Sequence, residues 1–192
     1  MARPIEFDYN KKLNIARELF WEKGYSRTSM NDLEERLQLN RSSIYRSFGN
    51  KQELFIKCLQ SYISFKEDEY SLAASKGKSP LNSVIAIIND IEQNIILDTK
   101  TCLSIYTTFE LGRLDVDVYK VLQKQSEKTV GLFETLVEQA QKIGEIPKDK
   151  SPQDLAYYIV SCLAAIWHAD ILFKNSAITK KVSKMIIDSI TK

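Results

Sequence analysis

The sequence predicts an all-α protein, and three observations carry that prediction. Apolar residues recur at helical spacing along nearly the whole chain, and no stretch sustains the period-two alternation of a strand. The 192 residues include only six Gly and four Pro, too few for a turn-rich sandwich or barrel. Several of those residues stand where a helix should begin or end, often beside a capping side chain. About nine helices are expected.

The first runs from about Asp8 to Lys23, with Leu13, Ala16 and Phe20 on one face, Ile15 and Leu19 beside it, and Gly24 as the stop. Ser29 opens a short second helix with Asp32 three residues on, the spacing of a capping box, and Met30, Leu33 and Leu37 are its apolar positions. Asn40 caps a short third helix that buries Ile44 and Phe48. Asn50 with Glu53 starts a long fourth helix, about 50–74, carrying Leu54, Phe55, Cys58, Leu59, Tyr62 and Phe65. After the polar break at 75–78, Pro80 takes the first position of a fifth helix. A sixth is expected at Thr101–Leu111 and a seventh from about Asp115 to Ile143, closed by Gly144 and Pro147. Ser151-Pro152 repeats the start signal for an eighth, whose Leu155–Phe173 stretch is apolar on more than one face. The ninth carries Ile178, Val182, Met185, Ile186 and Ile190.

Several function classes drop out. The longest uncharged run, Leu155 to Ala169, is fifteen residues and falls short of the roughly 20 that span a bilayer. No apolar signal segment follows Met1, so a cytoplasmic location is expected. Three scattered cysteines (Cys58, Cys102, Cys162) form no disulfide or zinc pattern, and one histidine cannot build a His-rich metal site; no cofactor is expected. Cys102, two residues from Lys100, invites a redox reading, though a buried inert thiol is the plainer one. Gly77-Lys78-Ser79 resembles the end of a phosphate-binding loop, but Leu72 stands where the leading Gly belongs and no strand precedes it. No catalytic set is assignable, and an enzyme is not expected.

Charge locates the function. The net charge is only +2, yet residues 36–52 hold Arg36, Arg41, Arg46 and Lys51 and no acid. The helices at 29–36 and 40–47, joined by Leu37-Gln38-Leu39, have helix-turn-helix spacing. Leu39, Ile44 and Phe48 would anchor the second helix, leaving Arg41, Ser42, Ser43 and Arg46 to face outward. Arg41 suits guanine O6/N7, and Thr28, Ser29, Tyr45 and Lys51 are donors suited to phosphates, three of them near helix N-termini. Asn40, at the start of the same helix, joins the candidate DNA-binding set.

The order of residues is more specific still. Gly24-Tyr25-x-x-Thr28-Ser29-Met30-x-Asp32-Leu33, then Leu37-x-Leu39-Asn40-Arg41-Ser42-Ser43-Ile44-Tyr45-x-x-Phe48-x-Asn50-Lys51-x-x-Leu54-Phe55, closely resembles the TetR-family DNA-binding domain. The leader Arg3-Pro4-x-Glu6-Phe7-Asp8 and the Leu19-Phe20-Trp21 segment resemble a large subgroup of that family. Departures are Gln38 where the turn often has Gly, Asn40 where Ser or Thr often caps, and Thr101 before Cys102-Leu103 where Gly is usual. The resemblance implies a helix-turn-helix DNA-binding domain (1–55) followed by a helical effector-binding and dimerisation domain (56–192). It implies a homodimer through the last two helices and a palindromic double-stranded operator. The implied function is a ligand-responsive regulator, usually a repressor released by a small-molecule effector. An activator or partner-controlled regulator on the same fold is the alternative, as is a helical ligand-binding module without DNA binding. Aromatic and scattered polar residues of the second half supply effector candidates: Tyr106, Phe109, Glu110, Arg113, Phe133, Tyr157, Trp167 and His168.

Overall fold

The computed structural model describes residues 7–97 and 100–191. The leader residues Arg3, Pro4 and Glu6 lie outside them. Nine α-helices and no strand occur among the described residues: α1 (Tyr9–Lys23), α2 (Met30–Leu37), α3 (Arg41–Phe48), α4 (Lys51–Ser75), α5 (Pro80–Leu97), α6 (Leu103–Leu111), α7 (Val116–Lys142), α8 (Pro152–Phe173) and α9 (Ser176–Thr191). The start of α6 falls two residues later than the sequence spacing suggests.

Side-chain caps set many of these boundaries. Asp8 accepts the Lys11 amide at 3.0 Å to begin α1, and Ser29 with Asp32 forms the expected capping box at α2. At α4, Asn50 Oδ1 accepts the Glu53 amide at 2.9 Å while Glu53 Oε2 accepts the Asn50 amide at 2.7 Å. Asp115 Oδ1 takes the amides of Asp117 and Val118, both at 3.0 Å, ahead of α7. Each such cap satisfies donors that a helix start leaves orphaned and is worth about 0.5–2 kcal/mol.

The chain divides into two compact units. The first comprises Met1–Phe65 and Leu103–Leu122, so it holds α1–α3, the first part of α4, α6 and the start of α7. Its core gathers Phe20, Leu33, Leu37, Ile44, Phe48, Phe55 and Tyr62, each almost wholly buried. Phe20 meets Phe55 edge-on at 5.0 Å, and Trp21 meets Tyr62 likewise at 5.0 Å. Cys58 lies in this core, where burial pushes its thiol pKa up and leaves it a weak nucleophile.

The second unit comprises Lys66–Cys102 and Gln123–Lys192. There α8 packs along α9, and α5 packs on both. Gln141 donates to the carbonyls of Pro147 and Lys150 at 2.8 and 2.9 Å, which ties the loop after α7 to that helix. The helix α8 extends beyond its uncharged run to 22 residues. By length and composition alone it could cross a membrane, a test that a buried core helix also passes. Seven of its residues are buried in this unit, while Tyr157, Tyr158, Ile171, Leu172 and Phe173 are each 43–61% exposed.

Candidate nucleic-acid interface

The interface candidate is built on α2, its turn and α3. Burial of Ile44 and Phe48, with Leu33 and Leu37 of α2 also fully buried, fixes which face of α3 turns inward. The remaining face shows solvent Arg41, Ser42, Tyr45 and Arg46. The turn residue Gln38 adopts the left-handed conformation (φ 52°, ψ 45°), so the non-glycine residue tolerates the strain. Its backbone amide caps the end of α2 on Glu34 and Glu35 carbonyls, and its side-chain amide donates to Glu35 O at 2.6 Å.

Asn40 caps α3: its Oδ1 accepts the Ser43 amide at 2.9 Å and the Ser42 hydroxyl at 2.8 Å. Arg41, the first residue of α3, is clasped by α2, its Nε 2.6 Å from Glu34 Oε1 and its Nη2 2.6 Å from Asn31 Oδ1. Arg36 is held by Glu22 of α1 at 2.8 Å, a pairing that raises its pKa further. The window that is acid-free in sequence is therefore not acid-free in space. Arg46 is exposed, and among the described residues none forms an ion pair with it.

Of the phosphate candidates, Ser29 is exposed and exchanges hydrogen bonds with Asp32. Lys23, then Ser29, hold the Asp32 carboxyl well below the usual carboxylate range. Its contribution is thus full above about pH 3.9, the ordinary Asp value, and is lost only as pH falls toward the depressed folded one. Thr28 is buried, and its hydroxyl donates to Gly24 O at 2.6 Å, holding the turn before α2 rather than facing solvent. Lys51 opens α4 with its ammonium 4.3 Å over the Tyr25 ring, and partial burial lowers its pKa.

A second polar clasp, missed in the sequence, fastens the same unit. Glu110 near the end of α6 accepts the amides of Tyr25 and Ser26 at 3.1 and 2.9 Å. Beside it the Tyr106 hydroxyl lies 2.6 Å from where a Cβ on Gly24 would stand, and Gly24 has φ 79°, so both space and backbone call for glycine. Gln52 donates to Asp115 at 2.7 Å. Only the tertiary fold brings these partners together, across 63 to 85 residues.

The effector candidates scatter. Tyr106 and Glu110 face the turn just described, while Phe109 (83% exposed) and Arg113 open to solvent in the same unit. In the second unit Phe133 and Trp167 are buried, and Tyr157 and His168 are exposed.

A capped helix-turn-helix whose second helix shows solvent a polar face with a free arginine defines a DNA-binding regulator of transcription. Residues 13–58 match the family model for bacterial regulatory proteins of the tetR family. The chain is 31% identical over 166 residues to an uncharacterized HTH-type transcriptional regulator, YezE of Bacillus subtilis, covering 83% of this chain and 84% of that one. It is 26% identical to the HTH-type transcriptional repressor ComR of Escherichia coli, covering 82% and 77% of the two chains. Its fold matches a cysteine mutant of the TetR-family regulator CifR, solved with a 26-base-pair operator duplex, at TM-score 0.82 and 19% identity, over 98% and 100% of the two chains. The chain belongs to the TetR family of transcriptional regulators, and it is a regulator rather than an enzyme.

Proposed function

We propose that this protein is a cytoplasmic, homodimeric repressor that α3 seats in the major groove of a palindromic operator and that a small molecule releases. The observation that carries the reading is the outward face of α3, with Ser42, Tyr45 and unpaired Arg46 exposed over a buried Ile44–Phe48 anchor. Arg46 and Ser42 read base edges, and Arg41 joins them when DNA competes with Glu34 and Asn31 for its guanidinium. Ser43, Tyr45, Asn40, Ser29 and Lys51 position the backbone, and Thr28 supports them by fixing the turn. The repressor sign is supported by the family and by the name of the ComR relative.

The dimer forms through α8 and α9, whose exposed apolar residues include Ile171, Leu172, Phe173 and Met185. The effector acts through the helices that follow the DNA-binding part, and α4, which belongs to both units, carries its effect. Such a ligand must bind the released state more tightly than the DNA-bound one. The test is selection of random duplexes by the full chain. Enrichment of a two-fold-symmetric site with half-sites about one helical turn apart is expected, with affinity falling steeply as salt rises. Enrichment of no symmetric site, or binding indifferent to salt, would overturn the proposal.

A further inference from the structure

The buried face of α6 is made of Leu103, Ser104, Thr107 and Leu111. Ser104 Oγ and Thr107 Oγ1 are both inaccessible to solvent, and neither has a hydrogen-bond partner among the described residues. Three residues apart on a helix, the two hydroxyls stand on one face. Most hydroxyls inside these helices behave differently. Thr108, the next residue along, donates to Ser104 O at 2.8 Å, and Thr129 and Thr135 likewise bond back to the carbonyl four residues before. Thr107 has the helical carbonyl of Leu103 at the same spacing and does not use it. Two orphaned hydroxyls on an otherwise apolar face carry the full cost of desolvation without a bond to offset it.

Taking the chain as ligand-responsive, as proposed above, we infer that Ser104 and Thr107 are paired anchors for a neutral, hydrogen-bonding group on an otherwise apolar effector. The pair supplies both donor and acceptor capacity, which suits a carbonyl, amide or hydroxyl. Charge is disfavoured because the buried face of α6 carries no Lys, Arg, Asp or Glu, so a buried ionic group would find no counter-charge on it. The apolar body of the ligand follows from Leu103 and Leu111 on either side of the pair. Glu110 lies three residues beyond Thr107 on the same helix, so a ligand that moves α6 also pulls on the turn that Glu110 holds.

Melting the full chain tests this with three chain-matched probes: octanamide, octanoate and octyltrimethylammonium. Without probe, Ser104→Ala and Thr107→Val should each leave the midpoint unchanged or raise it by about 2–4 °C, because an unsatisfied group is removed. Octanamide should raise the wild-type midpoint, the charged probes should not, and the double variant should bind octanamide at least about tenfold more weakly. Variants that melt below the wild type would show the hydroxyls already satisfied and overturn the anchor pair. So would equal octanamide binding by wild type and double variant, stabilisation by the charged probes alone, or no wild-type response to octanamide. Duplex binding measured alongside separates the two claims. Octanamide held by the hydroxyls without change in duplex affinity upholds the anchors and overturns the regulatory role.

Discussion

The two units expose surfaces of opposite chemistry. In the first, α3 shows solvent Ser42, Tyr45 and Arg46, and polar clasps fix its surroundings: Glu34 on Arg41, Glu22 on Arg36, Lys23 on Asp32, Glu110 on the turn after α1. In the second, α8 shows Ile171, Leu172 and Phe173, and α9 shows Met185 at 70% exposure. A charged, hydrogen-bonding face suits a partner with strong charge and directional groups. An exposed apolar strip suits another apolar strip, because its gain comes from area removed from water and needs little directionality. Under the function proposed above, the contrast pairs DNA with the first unit and a second copy of the chain with the second.

The largest effect should come from placing a charge on the apolar strip. Ile171→Glu with Leu172→Glu replaces two exposed apolar side chains. Burying two unpaired carboxylates should weaken dimerisation by about a hundredfold or more. Sedimentation should then show monomer at concentrations where the wild type is dimeric, with operator affinity falling in parallel. An unchanged sedimentation profile would remove the second copy as the partner of this strip.

Next comes the first unit's own face. Arg46→Ala should cost about 1–3 kcal/mol of binding to the selected operator, and less on random duplex. Arg41→Ala should relax specificity at one base position, whereas Lys51→Ala should weaken all sequences and flatten the salt slope by about one charge. Glu34→Gln breaks the ion pair on Arg41 and should tighten binding to unrelated duplex. Titrations at several salt concentrations separate these roles; equal effects of Arg46→Ala and Lys51→Ala on specificity would contradict them.

The polar clasps give a smaller effect, read in stability as well as binding. Glu110→Ala leaves the Tyr25 and Ser26 amides without their acceptor and should destabilise the fold by about 1–3 kcal/mol. Glu110→Gln keeps one acceptor oxygen and should recover about half of that loss. Chemical denaturation measures both, and equal losses in the two variants would show that charge rather than hydrogen bonding secures the turn.

The helices and their caps were legible because the signals are local: Ser29 with Asp32, Asn40, Asn50 with Glu53 and Pro80 each act within a few residues. So was the inward face of α3, which Ile44 and Phe48 define by spacing alone. The clasps were not legible. Glu34 reaches Arg41, and Glu110 reaches Tyr25, only because helices turn back on one another. A count of charge along the chain therefore saw an isolated basic run where the fold places acids beside it. The effector candidates scattered for a related reason. Aromatic residue type marks apolar bulk, and it cannot tell buried Phe133 from Phe109, which is 83% exposed. The orphaned hydroxyls of Ser104 and Thr107 carry no sequence signal, since helical serines and threonines commonly satisfy themselves.

The smallest effect compares one backbone feature across both units. Gln38 ends α2 and Lys174 ends α8, and both hold left-handed conformations, at φ 52° and φ 47°. Glycine relieves the steric cost of that conformation, offset in part by its greater freedom when unfolded, so each substitution should stabilise by about 0.5–1 kcal/mol. The gain should be smaller at Gln38, because its side-chain amide bond to Glu35 O is lost. If the units unfold together, both substitutions raise the same melting transition by about 1–4 °C. If they unfold separately, Gln38→Gly raises only the transition that abolishes duplex binding, and Lys174→Gly only the other. Glycine at Gln38 should leave operator affinity unchanged. A loss there would mean that the strained turn sets the pose of α3, and not merely the end of α2.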